Sequence, residues 1–206
     1  MLFRHRSRMQ GAGSATPRGQ SLVEFGLVLP LLILLLLGVA DFGRVFADGI
    51  TLEAAARDGA EAAAQEYLQL ARNSSGGVDT ADYSVLHDLA LEVSCREAER
   101  LSDRVLDGSG NCVSPAIAVC IHDDAEGDAL AAGGDCGIEA GSAPAECTQM
   151  DGATNAWNPT RFGPFEGLAY IEVRMCYRFD PLIPITGFWW GSIWLQKDRT
   201  FTVADY

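Results

Sequence analysis

One long apolar run dominates the first third of the chain. From Leu22 to Ala40, 19 consecutive positions are apolar apart from Glu24, close to the roughly 20 residues that an α-helix needs to cross a bilayer. Pro30 removes one backbone donor and is expected to bend or loosen that helix. A charge inside a membrane helix costs on the order of 2.5–3.5 kcal/mol, so Glu24 requires a cationic partner. The pattern predicts a transmembrane helix with one functional acid near its start.

The helical pattern continues beyond the apolar run, from Phe42 to Ala71, without a proline. Glu53 precedes Arg57 by four residues, the order that favours an ion pair along a helix. Asp41 and Arg44, three residues apart, form a second candidate pair at the outer membrane boundary. Small residues recur at helical spacing, and we interpret them as the packing face for the protein's own domain, with another helix as the alternative partner. This stripe consists of Leu52, Ala55, Ala56, Gly59, Ala60 and Ala63.

A second, shorter helix is predicted after the turn at residues 73–77. Asp82 or Ser84 is a candidate N-cap, and the apolar spacing continues to about Asp103. Residues 107–111 then form a turn. The positions expected to face inward are Leu86, Leu89, Ala90, Val93 and Leu101.

The pattern then changes to that of an antiparallel sheet. Residues 116–121 and 168–179 are rich in β-branched and aromatic side chains and predict two strands. A returning strand is predicted in two parts, 193–195 and 199–203, interrupted by the polar residues 196–198. The fold class is therefore α+β: a long N-terminal helix that extends into a small exported domain with a second helix and an antiparallel sheet.

A long segment between these strands, residues 122–166, is rich in Gly, Ala, Asp and Pro and predicts a loop. A loop of this length requires a function or a covalent constraint. Its acidic start is interpreted as solvated, with calcium binding through oxygens as the alternative. The acids at the start of this loop are Asp123, Asp124, Glu126 and Asp128.

Residues 188–190 and Trp194 form an aromatic cluster. We interpret it as a core corner, with a contact patch for another subunit as the alternative.

Charge divides the chain at the apolar run. The chain has 28 acidic and 15 basic residues. Four arginines and no acid precede Gly19, so the remainder carries a formal charge of −17. Under the positive-inside rule the N-terminus is cytoplasmic and the acidic remainder is exported. The leader arginines serve orientation, with binding to anionic lipid as an alternative. These leader arginines are Arg4, Arg6, Arg8 and Arg18.

An acidic domain lacks the cations that bind phosphates, so nucleic acid is not an expected partner.

All six cysteines follow the apolar run, which predicts disulfides in an exported domain. Six cysteines allow 15 pairings. We favour Cys136–Cys147 as a local closure and Cys120–Cys176 as a link between strands, which leaves Cys95–Cys112 as the third bond. Zinc is disfavoured because the chain has no C-x-x-C motif, and His87 and His122 are the histidines outside the leader.

The chain carries no recognisable catalytic or cofactor motif. G-x-S-x-G, H-E-x-x-H, the phosphate-binding glycine loop and the dinucleotide fingerprint are all absent from the sequence. We therefore expect no enzyme activity, no catalytic residue, no metal site and no cofactor. A Ser–His–Asp site assembled from distant residues, as in a secreted hydrolase, is the alternative.

The residues before the apolar run, Gly-Gln-Ser-Leu-Val-Glu-Phe at 19–25, resemble the class III signal of type IV pilins and pseudopilins. Cleavage between Gly19 and Gln20 would place a new ammonium on Gln20, four residues before Glu24. The Glu24-Phe25 pair, Pro30, and the Asp-Phe-Gly-Arg sequence that begins at Asp41 and ends at Arg44 are similar to the TadE-like branch of the tight-adherence (Tad/Flp) pilus systems. The sequence Ala-Ala-Arg-Asp-Gly-Ala at 55–60 continues the resemblance, whereas Glu61 stands where members commonly carry a basic residue.

The resemblance implies a minor pilin or pseudopilin precursor with a pilin-like, disulfide-linked exported domain. Its expected partners are a prepilin peptidase, other pilin or pseudopilin subunits, an inner-membrane assembly platform and membrane lipid. Residues 1–19 would be a cytoplasmic leader, 20–72 the transmembrane and extended helix, and 73–206 the extracytoplasmic domain. The protein would cross the cytoplasmic membrane once and then either remain there or enter an extracellular pilus.

Two other interpretations remain open from the sequence. One is an exported binding domain held by an uncleaved signal anchor, which would keep its Met1 terminus. The other is ordinary signal-peptide removal after Val45-Phe46-Ala47, which would release a secreted chain that starts near Asp48.

Overall fold

The structure is a computed structural model that describes residues 20–74, 78–123, 135–138, 147, 169–181 and 192–203. The chain divides into two compact units, residues 1–40 and residues 41–206. The predicted leader, residues 1–19, lies outside the described residues. The predicted α+β fold class is confirmed by two α-helices and antiparallel strands.

The described part of the first unit is the apolar beginning of helix α1, which spans Gln20–Asn73 and contains Pro30. Leu22 to Val39 present their large apolar side chains to the outside; Leu22 is 71% exposed and Leu27 75%. The most apolar 18-residue window of the helix has a mean hydropathy of 2.7 and buries none of its residues. This helix is therefore a candidate membrane span, as the sequence predicted.

In the second unit, α1 continues and buries the predicted small-residue stripe against the rest of the domain. All six positions are buried, and the side chains of Leu52, Ala55, Ala56 and Ala63 have no exposed surface. The interpretation of this stripe as the packing face for the protein's own domain is confirmed. Alanines and glycine leave room for close helix packing, while leucine supplies apolar area.

Helix α2 spans Tyr83–Glu97 and lies between two 3₁₀ turns, Thr80–Asp82 and Ala98–Arg100. Asp82 occupies the N-cap position, but its side chain makes no capping hydrogen bond within the helix. The helix ends before the predicted limit at Asp103, because the chain tightens into the second 3₁₀ turn. Its buried residues are Tyr83, Leu86, His87, Ala90, Ser94 and Cys95.

Strands β1 (Val105–Leu106) and β2 (Cys112–Ser114) pair as a small antiparallel ribbon. Its turn was predicted, although the two short strands were not. The Asp107 carboxylate accepts hydrogen bonds from the backbone amides of Ser109 and Asn111. Gly110 has a φ of 90°, a conformation that glycine adopts without steric cost.

The main sheet has four antiparallel strands in the order β4-β3-β5-β6. Strand β4 lies within the segment predicted to be loop. Strand β6 is continuous, so the predicted interruption at residues 196–198 is wrong; Lys197 pairs with Met175 and Asp198 with Arg174. A half-exposed edge strand accommodates polar residues without losing its backbone pairing. The strands are β3 (Ala116–His122), β4 (Asp135–Ile138), β5 (Tyr170–Phe179) and β6 (Ile193–Thr202).

Alternate residues of β3 and β5 face the helices and complete one hydrophobic core. Ile117 and Val119 of β3 belong to this core, and so do Val173 and Met175 of β5. The intervening residues on the opposite face are buried as well, except Arg178. Because both faces of β3 are buried, its residues 116–121 are all apolar and show no clear apolar–polar alternation.

The disulfides correct part of the predicted pairing. Cys95–Cys112 is present, as predicted, with its Cα atoms 5.8 Å apart. Cys147 is bonded to Cys176, so the predicted Cys136–Cys147 and Cys120–Cys176 bonds are both wrong. Cys120 also belongs to a disulfide.

The sheet register explains why Cys120 and Cys176 do not bond. Cys120 lies opposite Glu172, and Cys176 lies opposite Ala116. The two cysteines are thus offset by four residues along paired strands, about 13 Å at roughly 3.3 Å per residue. A disulfide requires Cα atoms within about 7 Å.

Candidate membrane and assembly site

The start of α1 carries the predicted assembly residues. Glu24 lies about one turn after Gln20, and its side chain is exposed on the apolar surface of the helix. Phe25 beside it is 59% exposed. Gly19 lies outside the described residues, and pairing between Glu24 and an ammonium on Gln20 stays a prediction. The placement of Glu24 makes its carboxylate accessible to a neighbouring chain.

The predicted Asp41–Arg44 pair is present on α1, with Arg44 Nη1 3.5 Å from Asp41 Oδ1. The Arg44 guanidinium also lies over the Phe179 ring, 5.1 Å from its centroid. A guanidinium at this distance from an aromatic face is attracted by the ring electrons. Arg44 therefore connects α1 to the end of β5, a role that the spacing of Asp41 and Arg44 alone could not show.

Asp48, one turn after Arg44, is a buried acid that the sequence analysis missed. It is 9% exposed, and its Oδ2 has no hydrogen-bond partner. Burial raises the pKa of the Asp48 carboxyl, and the positive charge of Arg44 offsets part of that effect. Its spacing of four residues from both Arg44 and Leu52 was the available signal, since it places Asp48 on the packing side of the helix.

The Ala-Ala-Arg-Asp-Gly-Ala motif at residues 55–60 is divided between two faces of α1. Its alanines and Gly59 are buried, whereas Arg57 and Asp58 are exposed. A Cβ atom on Gly59 would overlap Ser94 Oγ and would lie 2.9 Å from the backbone oxygen of Ala90. Helix α2 therefore approaches α1 closely at Gly59, and the two charged residues are left for other contacts.

Glu53 does not pair with Arg57, contrary to the sequence prediction. Its carboxylate accepts a hydrogen bond from Arg199 and lies 3.5 Å from Lys197 Nζ, both on β6. The hydrogen bond from Arg199 lowers the pKa of Glu53. Lys197 and Arg199 are two residues apart and share one strand face, so both reach the same acid on α1.

A buried ionic cluster lies on the sheet face opposite the helices. Arg174 donates from Nε and Nη2 to the two carboxylate oxygens of Glu172, at 2.8 and 2.9 Å. His122 Nε2 lies 3.4 Å from Glu172 Oε2 and lacks hydrogen-bond geometry, and its ring stacks on Tyr170 at 4.2 Å. Burial opposes ionisation of Glu172, but His122 and Arg174 outweigh it and lower the pKa of Glu172 to about 2.

This cluster is arranged for an internal ion pair rather than for metal binding. Ligand atoms of Cys120, His122 and Glu172 lie within 4.8 Å of one another. However, the Cys120 sulfur is held in a disulfide, and the Arg174 guanidinium occupies both oxygens of Glu172. A metal ion at this position would also face the charge of Arg174. The sequence pattern did not reveal the cluster, because Glu172 and Arg174 are separated from His122 by about 50 residues and only the sheet brings them together.

Asp123 is not solvated, contrary to the interpretation of the acidic loop. It is 6% exposed and accepts hydrogen bonds from the hydroxyls of Tyr67, at 2.8 Å, and Tyr83. Its carboxylate therefore joins α1, α2 and the end of β3. The other three predicted loop acids, Asp124, Glu126 and Asp128, lie outside the described residues.

Trp194 packs against the second sheet face and is partly buried. Its neighbours are Ala116, Ala118 and the Cys147–Cys176 disulfide. The core interpretation therefore holds for Trp194. The other members of the predicted aromatic cluster, residues 188–190, lie outside the described residues.

A protein-family model matches the part of the chain that contains the beginning of α1. Residues 19–61 match the family model described as TadE-like protein. The matched segment contains the exposed apolar start of α1, Glu24, the Asp41–Arg44 pair and the 55–60 motif, and it confirms the TadE-like resemblance over these residues. No curated protein matches the chain, and no solved structure does.

Proposed function

We propose that the protein is the precursor of a minor pilin or pseudopilin for Tad/Flp pilus assembly, cut after Gly19 by a prepilin peptidase. The observation that carries the proposal is the TadE-like segment, which begins at residue 19. The same segment holds an exposed apolar helix with a carboxylate one turn from its start. The protein acts by assembly rather than by catalysis.

Before cleavage, the arginine-rich leader keeps the N-terminus in the cytoplasm, and Leu22 to Ala40 span the cytoplasmic membrane once. The acidic domain lies on the other side. In this orientation the Gly19–Gln20 bond lies at the cytoplasmic membrane face, where the peptidase acts. The processed chain stays in the membrane until it joins other subunits at the assembly platform.

Cleavage creates a cation close to Glu24. The new Gln20 ammonium lies one helical turn from Glu24 on the same chain, and a neighbouring subunit supplies an equivalent ammonium. In a low-dielectric bundle of helices, loss of one member of such a pair leaves a buried charge and costs about 3–5 kcal/mol. The pair thus fixes the register between subunits more than it adds net stability.

The assembly role is tested by replacing Glu24 with alanine in cells that build the pilus. We expect Glu24→Ala to be cut normally and to be lost from purified pilus or assembly-complex fractions by tenfold or more, because the neighbouring ammonium then has no counter-ion. Glu92→Ala is the matched control, since Glu92 is an exposed acid on α2. Normal incorporation of Glu24→Ala would contradict the proposed pairing.

A further inference from the structure

An exposed apolar ridge runs along α1 beyond the predicted membrane span. It consists of Phe42, Phe46, Ile50 and Ala54, and we refer to it as the α1 ridge. Phe42 is 75% exposed, Phe46 69% and Ile50 63%, and Ala54 is exposed too. The spacing of four residues keeps the ridge on the side of α1 away from the buried stripe. Exposed apolar surface of this kind on an exported domain marks a contact site.

Two grooves flank the ridge, and both are lined by Ile50 and Ala54. The first groove has a volume of about 610 Å³ and lies between α1 and β6. The second has a volume of about 370 Å³ and lies between α1 and the segment that ends α2. A ridge between two grooves is the shape that lets one helix surface interlock with another.

The charges in the two grooves indicate what kind of partner binds against the α1 ridge. The first groove carries two acids and two arginines, and the second also carries two of each. Four of these eight groups, two acids and two arginines, make no hydrogen bond or ion pair with any described residue. They are Arg57, Asp58, Glu99 and Arg100.

A surface with equal numbers of both signs fits a copy of itself. The chain after Gly19 carries a formal charge of −17, so two copies repel each other over most orientations. At the α1 ridge, each groove instead offers an arginine and an acid to the opposite groups of its neighbour. A lipid surface would attract the arginines but would leave the acids desolvated and without a counter-ion.

From this ridge, its grooves and their charges, we propose that the α1 ridge is the contact surface between successive copies of this chain. The ridge of one copy packs into the second groove of the next copy, which brings the first-groove charges of the one against the second-groove charges of the other. Arg57 then lies opposite Glu99, and Asp58 lies opposite Arg100. Such a contact joins two different surfaces and can be repeated along an assembly. The inference rests on the proposed function, in which the processed chain stays in the membrane until it joins other subunits.

The contact is tested with the full chain in the cells that process it. A photo-crosslinking phenylalanine analogue replaces Ile50, and in a parallel strain it replaces Val85, an apolar residue on α2 that is 48% exposed and outside both grooves. We expect illumination to yield an adduct of twice the subunit mass at position 50, at least fivefold above the level at position 85. An adduct only with a different protein, or equal yields at the two positions, would overturn the proposal.

Charge reversal tests the pairing of the grooves. Arg57→Glu should reduce the adduct at position 50 about fivefold, and co-expression with a differently tagged Glu99→Arg chain should restore an adduct between the two variants. The assigned pairing is contradicted if Arg57→Glu leaves the adduct yield unchanged and co-expression with Glu99→Arg does not alter it. Cleavage after Gly19 is followed in the same samples. A correctly cut chain that forms no self-adduct contradicts the proposed contact surface and leaves the proposed function standing. An uncut chain that still forms the adduct contradicts the proposed function and supports the contact surface.

Discussion

At the scale of single residues, Gly59 sets the distance between α1 and α2. A Cβ at this position would overlap Ser94 Oγ and approach the backbone of Ala90. The contact with backbone is the more serious, because no side-chain rotation relieves it. The sequence identified Gly59 as part of a small-residue stripe but gave no indication of which helix lies against it.

Gly59→Ala is expected to destabilise the domain by about 1–3 kcal/mol through overpacking, although alanine favours helix formation by up to about 1 kcal/mol. Gly49→Ala is the matched control on the same helix, because a Cβ there has no atom within 4 Å, and it should be neutral or stabilising. The measurement is urea unfolding of the full chain in detergent. Equal or greater stability of Gly59→Ala would show that the helices are not in close contact.

Asp48 gives the protein a defined pH dependence. Burial raises the pKa of Asp48 in the folded state, so the folded chain binds more protons than the unfolded chain just above the ordinary aspartate pKa of 3.8. The stability contributed by this group is therefore greatest at acidic pH and declines as the pH rises through the raised value. Once ionised above that value, the carboxylate remains buried at a cost.

Asp48→Asn should accordingly be more stable than the wild type at pH 7, by roughly 1 kcal/mol, and the difference should narrow towards pH 4. Free energies of unfolding across this range provide the measurement. Asp88→Asn, at an exposed acid of α2, serves as the control and should match the wild type at pH 7. If the stability advantage of Asp48→Asn over the wild type instead widens towards acidic pH, Asp48 is stabilised as the anion.

At the scale of helices and strands, local pattern predicted the helices well and the connections between strands poorly. The apolar run, the small-residue stripe and β3 are each visible within one segment. The missed β4 and the misread β6 depend on partners elsewhere in the chain: β6 keeps its polar residues because Lys197 and Arg199 meet Glu53 on α1. The disulfides were misassigned for the same reason, since their pairing follows the sheet register.

Peptide mapping without reduction tests the disulfide assignment. We expect the peptides containing Cys95 and Cys112 to be linked, and those containing Cys147 and Cys176 to be linked. A link between Cys136 and Cys147 would instead support the local closure that the sequence favoured and would contradict the structure. Free thiols at all six positions would show that the domain is not in an oxidising compartment.

At the scale of the whole molecule, spacing along one helix was easier to predict than the internal chemistry of the domain. Glu24, Phe25, Asp41 and Arg44 lie in one continuous helix, so their spacing alone fixed their placement. The cluster of His122, Glu172 and Arg174 and the tyrosine contacts of Asp123 required the tertiary fold. The account depends on one chemical event, the release of an ammonium one turn before Glu24.

The N-terminus of the protein from its native membrane tests that event most directly. Sequencing or mass mapping should find Gln20 as the first residue in cells with the prepilin peptidase and an uncut chain in cells without it. Gly19→Phe should block the cut in peptidase-positive cells. An intact Met1 terminus on the wild-type protein in peptidase-positive cells, or a terminus near Asp48, would contradict the account.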